Sequence, residues 1–69
     1  MSWEGLTFVA YELTRGAVTG FKIYRQFEQV GTIEKRNDMW IAAFASGFKV
    51  VTFRNESFEI CVNTISKFI

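Results

Sequence analysis

At 69 residues the chain has room for one hydrophobic core and no second domain, so residues 1–69 are read as a single unit. One cysteine and no histidine exclude an intramolecular disulfide and the usual soft metal sites, and no cofactor is expected. A net charge of +1, from eight basic and seven acidic residues, supplies no field that would draw the protein to nucleic acid or to an anionic membrane.

Small domains are commonly stabilised by a disulfide, a metal or association, and only association is left here. Hydrophobic residues make up 49% of the chain and aromatics 17%, with eight Phe, two Trp and two Tyr. Each ring brings roughly 150–250 Å² of surface that needs cover, more in total than one short helix shields. The longest apolar run, residues 39–45, is far short of the ~20 residues of a membrane-spanning helix. The opening MSWEGLTF has neither the basic flank nor the apolar stretch of a secretory leader, so a cytoplasmic protein is expected.

In chain order, residues 6–13 alternate in the period-2 manner of a strand, with Phe8 and Ala10 opposed to Val9, Tyr11 and Leu13. Residues 14–20, with Gly16 and Gly20 and no apolar rhythm, read as a loop. Residues 21–29 alternate again, Phe21, Ile23, Arg25 and Phe27 against Lys22, Tyr24, Gln26 and Glu28, and are expected as a half-buried strand. Gly31 marks a bulge or a break within 30–35. Whether 21–35 forms one strand or two stays open at this point.

Arg36-Asn37-Asp38 is a hairpin turn, because Asn and Asp tolerate left-handed backbone angles. Residues 39–45 are the strongest strand, with Trp40, Ala42 and Phe44 on one face and Met39, Ile41 and Ala43 on the other. Both faces are apolar. Ser46-Gly47 turns the chain and 48–54 returns as a strand. The period then changes: Phe58, Cys61, Val62, Ile65 and Ile69 form one helical stripe. Asn55 is the expected N-cap with Ser57 as the alternative, and Asn55-Glu56-Ser57 is read as a helix start in preference to a glycosylation signal. Cys61, on the stripe, is expected as a small buried hydrophobe. The fold class is α+β, a small antiparallel sheet of three to five strands packed on one C-terminal helix.

Catalysis near neutral pH needs a group that exchanges protons there, and without histidine no constellation forms. Glu34 and Asp38 flank a turn, Glu56 and Glu59 begin a helix, and the glycines fit no phosphate-binding pattern. A non-enzymatic role is expected. A small-ligand carrier, with Tyr11, Tyr24 and the tryptophans lining a pocket between sheet and helix, is a lesser alternative.

From Gly31 onward, strand GTIEK, turn RND, strand MWIAAFA, turn SG, strand FKVVTFR and a capped helix follow one another. This order, with its Gly…Trp-x-Ala…Thr-Phe-x-Asn-Glu cadence, resembles the three-strand-plus-helix module of phage integrase arm-type and plant AP2-type DNA-binding domains. The resemblance covers residues 31–69 and extends to other small phage and mobile-element proteins, which implies an inhibitor or adaptor carried by such an element. Those families read DNA with the sheet face opposite the helix, and the matching positions are Lys35, Arg36, Trp40, Lys49 and Arg54. This chain departs from them in that either face of 39–45 is apolar and unsuited to phosphate.

An uncovered apolar sheet face instead suits a protein interface, with Met39, Ile41, Ala43 and Tyr24 as its candidate residues. The favoured arrangement seats the helix over Trp40, Ala42 and Phe44 and leaves Ile41 outward. In the competing arrangement the N-terminal strands fold over that face and close the core. The leading expectation is therefore a protein-interaction or assembly module, most simply a homo-oligomer. A nucleic-acid-binding domain is the alternative.

Overall fold

A computed structural model of the protein describes residues 2–3 and 5–68. It contains β1 (Ser2–Trp3), β2 (Leu6–Thr14), β3 (Ala17–Arg25), β4 (Glu28–Arg36), β5 (Met39–Ser46), β6 (Lys49–Asn55) and α1 (Phe58–Phe68). The strands form one antiparallel sheet in the order β1-β2-β3-β4-β5-β6, so each pairs with its neighbour in sequence. Five long strands and one two-residue stub pack against a single C-terminal helix. The α+β class follows directly.

Two-residue loops make this meander possible. Arg15-Gly16 and Asn37-Asp38 have both central residues left-handed, at φ 54° and 82° and at 53° and 61°, the turn that matches the twist of flanking strands. At the other end of the sheet only the first central residue is left-handed, Gln26 at 58° and Gly47 at 65°. The consequence corrects three expected boundaries. The loop predicted over 14–20 is a turn at Arg15-Gly16, with Thr14 ending β2 and residues 17–20 belonging to β3. The strand predicted over 21–29 is cut at Gln26-Phe27, so 21–35 is two strands. Phe48 belongs to the β5–β6 turn and not to a strand. Phe27 and Phe48, 101% and 110% exposed, sit at these tips, where an aromatic residue gives a false strand signal.

Gly31 lies inside a continuous β4, beside a bulge. The register passes from Ile23↔Gly31 to Tyr24↔Gln29 and leaves Val30 as the extra residue. Val30 is buried. Gly31 itself is required by close approach, since a Cβ there would stand 2.4 Å from the Ala43 carbonyl oxygen and 2.7 Å from the Phe44 Cβ.

Pairing registers sort the side chains onto two faces. One carries the rows Phe8, Ile23, Gly31, Phe44, Val51 and Ala10, Phe21, Ile33, Ala42, Phe53. This face meets α1 through Cys61, Val62 and Ile65, all fully buried. Phe58 anchors the helix start in an aromatic cluster, its ring 4.8 Å from Trp40, 5.5 Å from Phe21 and 6.1 Å from Phe8. The helix then runs back along the sheet until Phe68 lies 5.8 Å from Phe44. Ala42 leaves room for this approach, and the Cys61 thiol donates to the Trp40 carbonyl at 3.6 Å. Burial pushes the Cys61 thiol above its ordinary pKa, while a backbone hydrogen bond at Asn55 acts the other way to a smaller extent. The helical stripe is therefore core as expected, Ile69 lying outside the described residues.

The cap is corrected. The Ser57 hydroxyl accepts the Ile60 N–H at 3.2 Å, the first-turn bond of an N-cap. The Asn55 carboxamide oxygen accepts the Ser57 N–H at 2.8 Å and shapes the turn just before it.

Candidate interaction surface

The second face of the sheet has no layer over it among the described residues. The N-terminal strands extend the sheet sideways and do not fold across it, so the competing arrangement is overturned by strand order. Its rows follow from register: Val9, Lys22, Thr32, Ala43, Thr52, and beside them Glu12, Gly20, Glu34, Ile41, Arg54. Tyr24 pairs with Thr7 and Gln29, and Met39 with Arg36.

All four candidate interface residues thus stand on the open face, and all four are half-buried. Met39, Ile41 and Ala43 follow one another along β5. Tyr24 lies two strands away and one row further on, so the four make a line and an outlier, not one patch. The face is also less apolar than expected, because Lys22, Thr32, Glu34, Thr52 and Arg54 surround that line. A groove of about 300 Å³ beside Ile41 is bordered by Thr52, Phe53 and Arg54. Another, of about 360 Å³, lies over Val30, Gly31, Ala43 and Val50. Neither is lined by Tyr11, Tyr24 or Trp40 of the ligand-carrier reading, and the side chain of Trp3, its fourth residue, lies outside those described.

At the β2–β3 side the same face is organised by charge. The Arg36 guanidinium donates to both Glu12 carboxylate oxygens, at 2.8 and 3.0 Å, and lies 3.5 Å from Glu34. The Thr19 hydroxyl donates to Glu12 at 2.8 Å. Arg36 and then Thr19 hold the Glu12 carboxyl below its ordinary pKa. Tyr11 lies over Gly20, whose Cβ would be 3.0 Å from the ring, and Lys22 stands 5.7 Å from the ring centre.

The residues of the nucleic-acid reading are not brought together. Trp40 is half-buried under Phe58 on the helix side, opposite to the face used by the families the sequence resembles. Lys35 is on that side too, its ammonium 5.9 Å from the Trp40 ring. Lys49 shares the side but sits beside the β5–β6 turn, at the far end of the sheet. Arg36, on the open face, is engaged by two carboxylates. Arg54 is on the open face at the β6 edge.

Sequence reasoning missed the two sheet edges. One is made of the short β1 and the part of β2 it leaves uncovered, which carries register shifts around Glu12, whereas at the other β6 runs without a shift and its outer side is unpaired among the described residues. The run Lys49-Val50-Val51-Thr52-Phe53-Arg54 is rich in β-formers and could have signalled such an edge. Among the described residues no helix is long and apolar enough to cross a membrane. Compared with known protein families, with characterised proteins and with solved structures, the chain gives no match.

Proposed function

We propose that this chain is a non-catalytic protein-interaction module that associates with further copies of itself through the open face of its sheet. The observation that carries the reading is Ile41. It stands between Glu34 and Arg54 on a face that α1 does not cover, with Met39 and Ala43 on either side along β5. An apolar centre with a charged rim is the anatomy of a protein interface, and such interfaces are about as polar overall as the rest of a surface. Stacking two such faces buries the line of β5 in both copies. It also supplies the association that a chain of this size and aromatic content calls for.

The test is light scattering at micromolar concentration. The wild-type chain is expected to run well above its 8.0 kDa mass. Ile41→Lys is expected to lower the mass with an unchanged circular dichroism spectrum, because it places a charge at the centre of the contact and leaves the helix-side core intact. A wild-type chain that is monomeric, or an Ile41→Lys chain of unaltered mass, overturns the reading. The nucleic-acid reading has less support, its cations being spread over both faces and both ends. Binding to duplex DNA that falls steeply with salt would favour it.

A further inference from the structure

We infer that the outer edge of β6 is a second contact, at which two copies of this chain pair edge to edge in one defined antiparallel register centred on Thr52. The inference rests on the self-association proposed above but uses a different surface.

Among the described residues β6 is the bare edge of the sheet. It pairs with β5 alone, without a register shift, from Ser46↔Lys49 to Trp40↔Asn55. A two-residue loop closes on a pair that exchanges both of its hydrogen bonds, and along an antiparallel ladder such pairs alternate with pairs that exchange none. Starting from Ser46↔Lys49, the pairs of Lys49, Val51 and Phe53 bond inward to β5. The N–H and C=O groups of Val50, Thr52 and Arg54 therefore point outward. Val50 is 75% exposed, and Thr52 and Arg54 are exposed as well. The opposite edge is blunted, since it consists of the two-residue β1 and the part of β2 beyond it, where shifts between Ala10 and Leu13 break the hydrogen-bonding line.

A second copy related by a two-fold axis through Thr52 uses every outward group. Thr52 faces Thr52 of the other copy, and Val50 faces Arg54 in both directions, each pair exchanging two bonds. Sliding the register by two residues in either direction leaves one of the three opposite the Gly47-Phe48 turn or Glu56, beyond the strand. The centred register also sets no like charges against each other, since Lys49 falls opposite Asn55 and Arg54 opposite Val50. On the helix side it brings Val51 against Phe53, a β-branched and aromatic pair that flanks the core in each copy. The open faces of both copies then lie on the same side of one continuous sheet, which doubles the surface proposed above.

Thr52→Cys and Val50→Cys, each in the full chain, test the register. Hydrogen-bonded partners have Cα atoms about 5.5 Å apart, inside the roughly 4.4–6.8 Å that a disulfide spans. Under mild oxidation Thr52→Cys is expected to become a covalent dimer on a non-reducing gel, and Val50→Cys to stay monomeric because its counterpart lies four residues along. Cys61 is buried and common to both. Thr52→Pro removes only an outward N–H, so it is expected to lower the mass in light scattering with helical dichroism retained. Thr52→Cys that cross-links no better than Val50→Cys overturns the edge contact, as does a folded Thr52→Pro of wild-type mass. The two surfaces separate cleanly: cross-linking of Thr52→Cys together with an Ile41→Lys chain of unaltered mass upholds the edge and overturns the face. A mass lowered by Ile41→Lys without cross-linking upholds the face and overturns the edge.

Discussion

Arg36 reaches across β3 to hold Glu12, 24 residues earlier, by a two-pronged ion pair of 2.8 and 3.0 Å. The intervening strand presents Gly20 between Glu12 and Glu34 and so adds no side chain of its own at that row. Both partners are solvent-exposed enough that the pair contributes little by itself. Its effect is to occupy Arg36, one of the five cations and aromatics that a nucleic-acid reading requires.

That pair has a pH signature. The Glu12 carboxyl titrates below its ordinary value of 4.5, chiefly through the Arg36 hydrogen bond. A depressed folded-state pKa stabilises the fold above the ordinary value, and the gain is lost as pH falls through the folded one. Glu12→Gln is therefore expected to melt below wild type at neutral pH, with the difference closing in acid below about pH 4.5, as thermal melts over pH 2–7 would reveal. A difference that widens in acid would contradict the assignment.

Gly31→Ala is expected to destabilise by about 1–3 kcal/mol, since the added methyl meets the Ala43 backbone and the base of Phe44, neither of which swings away. Urea unfolding measures it. An effect near zero would mean that the strands separate there at no cost.

Ser57→Ala is expected to cost about 1 kcal/mol by removing the N-cap of α1. Restoration by Ser57→Thr in the same urea assay would identify the hydroxyl as the cause. Equal stability of Ser57→Ala and wild type would return the cap to Asn55.

Phe27→Ser and Phe48→Ser are expected to change stability by no more than about 0.5 kcal/mol, because both rings are fully exposed at hairpin tips. A loss of several kcal/mol in either would show a buried ring and a misplaced turn.

Local chemistry makes much of this legible in the sequence alone. The stripe of Phe58, Cys61, Val62 and Ile65 has one apolar side, so it could pack only one way. Asn37-Asp38 announced its turn because few residues accept two successive left-handed positions. Phe27 and Phe48 misled for the converse reason: aromatic residues usually mark strands, and nothing local showed that they stand in turns. Val30 drops into the core through a bulge that depends on the register of β3, not on its own neighbours.

By itself, then, the sequence determined the class of fold, the helix and its buried stripe, and the two alternating faces of β5. Period-2 alternation defines two faces but cannot choose between them when both are apolar, as with Trp40, Ala42, Phe44 against Met39, Ile41, Ala43. That choice fell to the tertiary structure, where Ala42 and Cys61 of α1 share the core, the Cys61 thiol meets the Trp40 carbonyl and Phe58 docks on Trp40. So did the placing of β2 and β3 beside β4, which leaves one face open and the β6 edge bare. Such neighbourhoods are set by long-range pairing, and no window of residues along the chain contains them.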